Sequence, residues 1–414
     1  MKYAIIGAGM SGLSIANMLI NSNNKVVVFE SDSRPGGMIK CDRVNGSLFH
    51  RTGGHVFNTK RKDVSDWFWK HFNRDSEFTK AARNASVALS SDKMIPYPIE
   101  NYVYMLDESI MKSVIEDWIC IANAEKPEPT NFEEFLRGRF GETLYSIYFK
   151  QYNYKVWRKN LTTVPLSWLD GKLPMPTVKE MFFNNIRHVE ENNFVHSKFY
   201  YPINGGSQFI AERLATGLDI RLNSEISCLN YAFNKWIVNG EDFDRVIFCG
   251  NIKQLPSLIN NQIDISASLK QEIFNLESHG TTTVFCEIER NNYSWIYLPS
   301  KDYESHRIIC TGNFAESNNF DGVLTASIEF TDSITEEDII LNLKKMPYSP
   351  RYLTHHYCKY TYPIQSATTR KSISELKTRT EPLGLYLLGR FAEWEYYNMD
   401  VAIGAAIDLV KRIQ

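Results

Sequence analysis

The sequence predicts an α/β protein with three parts: a Rossmann-like nucleotide-binding domain, a helical insertion carrying a mobile loop, and an antiparallel β-sheet substrate domain. Three observations predict it. A glycine-rich turn joins an apolar strand to a helix at the N-terminus, a stretch of 3.6-residue periodicity fills the middle, and alternating strands dominate from about residue 281. The first element is Tyr3-Ala4-Ile5-Ile6, running into Gly7-Ala8-Gly9-Met10-Ser11-Gly12, a helix pattern, and a second strand Val26-Val27-Val28-Phe29 that ends at Glu30-Ser31. Glycines at this spacing permit a sharp turn, a close approach of backbone to a pyrophosphate and tight helix packing. The helix N-terminus offers unpaired N–H groups, and the acid suits a ribose hydroxyl.

Arg34-Pro35-Gly36-Gly37-Met38 follows directly, and its small residues let a cofactor lie against the chain. Read alone it is also an ordinary surface turn. Placed after the acid, this extension resembles the FAD-binding fold of the glutathione-reductase and amine-oxidase type. No second glycine fingerprint and no Cys-x-x-Cys pair occurs, which argues against a separate nicotinamide domain and against disulfide reductases.

The helix expected from Arg61 to Arg74 carries Trp67, Trp69 and Phe72, and a hairpin is expected around Ser91-Asp92. Helical spacing recurs in Met105 to Ala122 and in Phe132 to Tyr154. Prolines at 165, 174 and 176 then deny regular structure and suggest a loop that moves. Tyr200 to Gly206 leads into a helix over Ser207 to Thr216, and Arg245 to Gly250 returns to the Rossmann sheet. Strands follow at 283–286, 295–297, 307–310 and 324–330, with one more at 385–388 and a final helix over 401–413. This divides the chain into a discontinuous FAD-binding domain (1–85, 203–280, 375–414), a helical domain (101–190, loop about 160–180) and a sheet domain (86–100, 191–202, 281–374).

The bulk properties exclude several classes. With 414 residues the chain can bury two or three cores. A formal net charge of -2 offers no basic field for nucleic acid, and no apolar run is long enough to span a membrane. Seven scattered cysteines without metal spacing fit reduced thiols in the cytoplasm. His355-His356 lacks a third ligand, so no metal is expected.

Four further segments occur in order: Gly53-Gly54-His55-Val56-Phe57, Tyr152-Asn153-Tyr154-Lys155-Val156-Trp157, Tyr362-Pro363, and Gly389-Arg390 through Tyr396-Tyr397-Asn398-Met399-Asp400. Together with the fingerprint they resemble the UDP-galactopyranose mutase family along essentially the whole chain. The resemblance implies an isomerase that interconverts UDP-galactopyranose and UDP-galactofuranose without net oxidation, using reduced FAD N5 as nucleophile at the anomeric carbon. Such enzymes serve cell-surface polysaccharide biosynthesis.

It also implies roles. His55 sits beside the flavin; Lys172 stands where the family carries a loop arginine; Arg307 contacts the diphosphate. Tyr152, Asn153 and Trp157 line the nucleotide and sugar pocket, with Tyr362 and Tyr396 donating to phosphate. The cofactor set is then Gly7, Gly9, Met10, Ser11, Gly12, Glu30, Ser31, Gly36, Gly37, Met38, His55, Arg390, Asn398 and Met399. Taken singly, these residues have plainer readings: core aromatics, surface cations, a turn histidine. A lysine cannot reproduce the bidentate fork of an arginine, and Asn58 stands where the family continues with His or Ser, so both departures are open. A mutase for another nucleotide sugar and an amine-oxidase-like FAD oxidase are the alternatives, and self-association is left open.

Overall fold

The computed structural model describes residues 1–414 except 125–127, 167–168, 170–175, 190–197 and 261, and omits the side chain of Ala82. The N-terminal strand β1 (Lys2–Ile6), the helix α1 (Met10–Ile20) and the strand β2 (Lys25–Phe29) form the expected unit. β1 lies at the centre of a five-stranded parallel sheet in the order Leu385–Leu387, Arg245–Phe248, β1, β2, Asp219–Arg221. Every side chain of β1 after Lys2 is buried, because helices cover one face and a smaller β layer the other. On the first face Leu13 and Ile15 of α1 pack with Ile403 and Ala406 of the final helix Met399–Ile413. On the second, Trp236, Phe248 and Trp394 form a separate core beneath the antiparallel ribbon 229–243.

The close approach of α1 to β1 is decided by one residue. A Cβ on Gly12 would lie 1.9 Å from the carbonyl oxygen of Gly7, so only glycine permits the helix to start there.

A seven-stranded sheet forms the second layer, ordered Arg351–Pro363, Ser278–Ile288, Leu324–Thr331, Arg307–Ile309, Trp295–Tyr297, Ala85–Ala88, Met94–Pro96. Its pairings are antiparallel except one: Ala85–Ala88 runs parallel to Trp295–Tyr297. The expected lead-in at Tyr200 to Gly206 is partly strand. Lys198–Pro202 pairs with Phe78–Ala82, a tertiary pairing with no local signal.

The helical region comprises Glu108–Asn123, Phe132–Phe140, a run from Glu142 to Trp157 and Val178–Arg187. The single helix expected over Phe132 to Tyr154 is interrupted at Gly141. There the buried Trp118 donates its indole N–H to the carbonyl of Phe140 at 3.1 Å, and Asp117 accepts from the Thr143 N–H at 2.7 Å. Within the second run Tyr145–Phe149 is a π-helical turn, which shifts the facing of the residues after it. Among the described residues no helix is long and apolar enough to cross a membrane.

Gly12→Ala should destabilise the protein by about 3 kcal/mol or more, since the contact it creates is with backbone that cannot rotate away. A denaturant titration checks this, with Gly138→Ala, where nothing lies within 4 Å of the added methyl, as the control.

Candidate active site

The glycine turn builds a cradle. Gly9 and Gly36 form a parallel bridge, the Gly36 N–H donates to the Ala8 carbonyl at 2.9 Å, and a Cβ on Gly37 would lie 3.1 Å from Gly9 Cα. Two backbone segments therefore meet without side chains between them. α1 starts at Gly9 with no side-chain cap, leaving its first N–H groups, at Met10, Ser11 and Gly12, directed out of the helix. A pyrophosphate fits such a site because both the dipole and the donors favour an anion. Glu30, 8% exposed, closes the end of β2 and accepts from the N–H of Ala8 at 2.7 Å and of Asp32 at 3.0 Å. Its oxygens retain lone pairs for a hydroxyl donor. Ser31 beside it is exposed, whereas Ser11 lies against Gly389. These features suit a dinucleotide cofactor.

A cleft with a volume of about 80 Å³ is lined among others by Met38, Gly53, Gly54, His55, Arg307, Glu329, Tyr362, Arg390, Tyr396 and Asn398. Its floor is the turn Gly53-Gly54-His55. Burial, followed by the positive charge of Arg390, pushes the His55 imidazole down to about 4, and its Nε2 is buried with no hydrogen-bond partner among the described residues. A neutral ring with an unpartnered nitrogen in a cleft is a group prepared for a ligand. Asn398 forms the N-cap of the final helix and places that helix N-terminus, with Met399 as its first residue, at the same cleft.

Arg307 enters from the strand Arg307–Ile309. Its Nε donates to Glu329 Oε2 and its Nη2 to the Tyr362 hydroxyl at 2.7 Å. Glu329 is 1% exposed; its other oxygen accepts from the Gly53 N–H at 2.8 Å, and His306 Nε2 lies 3.3 Å away. Burial alone would raise the Glu329 carboxyl, but Arg307 and then His306 hold it well below the usual range. Burial likewise opposes the Arg307 charge and is outweighed by Glu329. Tyr362 and Tyr396 stack with centroids 5.8 Å apart and planes 4° from parallel. Burial keeps the Tyr362 hydroxyl protonated, and therefore a donor. Arg390 packs 4.4 Å over the Tyr396 ring and donates to the carbonyls of Tyr397 and Thr361.

The helical side contributes less directly. Tyr152 lies edge-on to Tyr297 at 5.3 Å, and Tyr297 is the strand partner of Arg307, so Tyr152 stands beside the cleft. The Asn153 amide donates to the Phe149 carbonyl at 2.8 Å in its own helix. The Trp157 ring packs against the helical core, and its carbonyl accepts from His279. None of these three lines the cleft itself. Lys172 lies outside the described residues.

Sequence reasoning missed Glu329 and His306. The available signal was one acid inside the otherwise uncharged, wholly buried strand Leu324–Thr331. It also passed over Lys155, which is 7% exposed, donates to the carbonyls of Leu298 and Ser305, and is pushed by burial down to about 7.

Residues 5–72 match the family model described as an NAD(P)-binding Rossmann-like domain. A UDP-galactopyranose mutase of Mycoplasma genitalium is 23% identical over 421 residues, covering 99% of this chain and 94% of that protein. A dTDP-fucopyranose mutase of Escherichia coli is 22% identical over 416 residues, covering 98% and 97%. The crystal structure of a reduced UDP-galactopyranose mutase superposes with a TM-score of 0.86 at 21% identity, over 100% of this chain and 96% of that one. The chain resembles the UDP-galactopyranose mutases over its whole length. The mutase-like fold brings His55, Arg307, Tyr362, Tyr396, Arg390 and Asn398, drawn from distant parts of the sequence, to one cleft.

His55 and its buried neighbour His50, pushed by burial down to about 3, stay neutral in the folded state, whereas unfolded histidines protonate near 6.5. The unfolded chain thus binds more protons below about 6.5, so stability present above that value should fall as pH drops toward 4, by on the order of a few kcal/mol. Unfolding titrations at stepped pH check this, and His50→Gln should flatten the slope.

Proposed function

We propose that the protein is an FAD-dependent isomerase that interconverts UDP-galactopyranose and UDP-galactofuranose. The observation that carries the reading is the cleft itself, where a half-buried arginine with hydroxyl neighbours faces a glycine-histidine turn and a helix N-terminus. The whole-length resemblance to nucleotide-sugar mutases supports the same reading.

FAD held in the Gly9–Gly37 cradle would supply, when reduced, an electron-rich N5 next to the anomeric carbon of the sugar. The chain's own residues do the rest. Two of the five guanidinium N–H groups of Arg307 are committed to Glu329 and Tyr362, and Nη1 has no partner among the described residues, so it is available to a diphosphate oxygen. Tyr362 and Tyr396 add hydroxyl donors to the same oxygens. With its diphosphate fixed there, the departing nucleotide stays close to the carbon it leaves. The N-terminus at Asn398 and Met399 favours negative charge at the cofactor side. Neutral His55 presents a ring nitrogen to a hydroxyl or a flavin edge without adding charge. Tyr152, Asn153 and Trp157 are assigned to the nucleoside, and Lys172 to a second contact with phosphate. The free thiols recorded for all seven cysteines accord with a cytoplasmic enzyme.

A second reading keeps the mechanism and changes the sugar or base. It is favoured by the match to a dTDP-fucopyranose mutase at nearly the same identity and coverage. An amine-oxidase-like reaction fits poorly, because the cleft carries two guanidinium groups and a carboxylate where such chemistry wants an apolar cage.

Dithionite-reduced protein incubated with UDP-galactose, UDP-galactofuranose and dTDP-fucose, with the ring forms separated chromatographically, should interconvert one pair, and oxidised protein should not. Arg307→Ala should lower kcat by about 100-fold or more, and Lys172→Arg should be tolerated. Oxygen consumption without ring interconversion would refute the reading.

A further inference from the structure

Glu329 holds two parts of the cleft at once. One oxygen takes the Gly53 N–H at 2.8 Å, at the start of the turn that presents His55; the other takes Arg307 Nε, with His306 Nε2 at 3.3 Å. The arrangement is rigid on one side and yielding on the other. Arg307 and Glu329 are directly paired across neighbouring strands, and Glu329 is paired again with Thr283 on the far side, so its backbone is fixed within the sheet. Gly53 and Gly54 form a turn with no side chains, and Gly53 has φ +63. The neighbouring strand Arg307–Ile309 also lies against the turn, since a Cβ on Gly54 would lie 2.7 Å from Ile309 Cγ2.

We infer that Glu329 is a positioning residue that couples occupancy of the Arg307 anion site to the geometry of the Gly53-Gly54-His55 turn. The inference rests on the proposed diphosphate site. Its physical basis is competition for one carboxylate. Without an anion, Arg307 draws most of the negative charge of Glu329. When a nucleoside diphosphate shares the guanidinium, that attraction weakens and the carboxylate turns more of its acceptor strength to the Gly53 N–H. The turn tightens, and the imidazole and carbonyls facing the cofactor are held in one orientation. Binding at the phosphate end thereby prepares the cofactor end.

The test is amide hydrogen exchange, read by mass spectrometry on the peptide spanning residues 50–57 of the flavin-loaded protein, with and without UDP, alongside calorimetric UDP affinity. In the natural protein UDP should slow exchange there by about fivefold or more. Glu329→Gln keeps an acceptor for Gly53 but sets an amide against Arg307. It should bind UDP about tenfold or more weakly, and at saturating UDP should show no added protection. Glu329→Asp keeps the buried charge but is one methylene too short to span both partners, and should lose the added protection as well. Protection that persists in both variants at saturation overturns the coupling, as does natural protein that binds UDP with no change in the turn. Natural protein that does not bind UDP is a different result, and refutes the nucleotide-sugar reading itself.

Discussion

A half-buried guanidinium paired with a buried carboxylate governs the organisation of this cleft. Removing Arg307 and Glu329 from water is costly, and that cost is offset by the partners each finds: Tyr362 and Glu329 for the arginine, Gly53, His306 and Arg307 for the acid. Those partners lie on three strands of one sheet, on the residue before one of them, and on the turn beside the cradle. A structure that satisfies all of them has little freedom left in how the sheet meets the Rossmann layer.

The remaining titratable groups are arranged around that pair without competing with it. His50 and His55 are neutral, and Tyr362 keeps its proton, so the nearby rings act as donors or acceptors and not as additional charges. Arg390 is the second cation, and its guanidinium is tied to backbone carbonyls and to the face of Tyr396. Two cations against one carboxylate leave the lining with a positive excess, which suits a substrate whose charge resides on phosphate. On the proposed reading, a sugar between that excess and the cofactor would be held by its leaving group.

How legible this was differs between the two ends of the cleft. The unit 3–30 was readable because its constraints are local: a strand, three glycines, a helix and an acid within thirty residues. Gly12 shows why the pattern is strict, as any side chain there meets the Gly7 carbonyl. Arg307, Tyr362, Arg390 and His55 were named through resemblance, since nothing near them in sequence separates a site residue from an ordinary surface or core residue. Glu329 escaped because its partners are 22 and 276 residues away. The pairing of Lys198–Pro202 with Phe78–Ala82 was invisible for the same reason.

By itself, the sequence determined the cofactor-binding unit, the class of fold and the periodicities of its helices and strands, because steric limits and burial act over a few neighbouring residues. Only the tertiary structure decided which charges face one another. Ion pairing, the depression of His55 and the division of one carboxylate between an arginine and a glycine amide depend on distances across sheets, and those distances are set by packing that involves the whole chain.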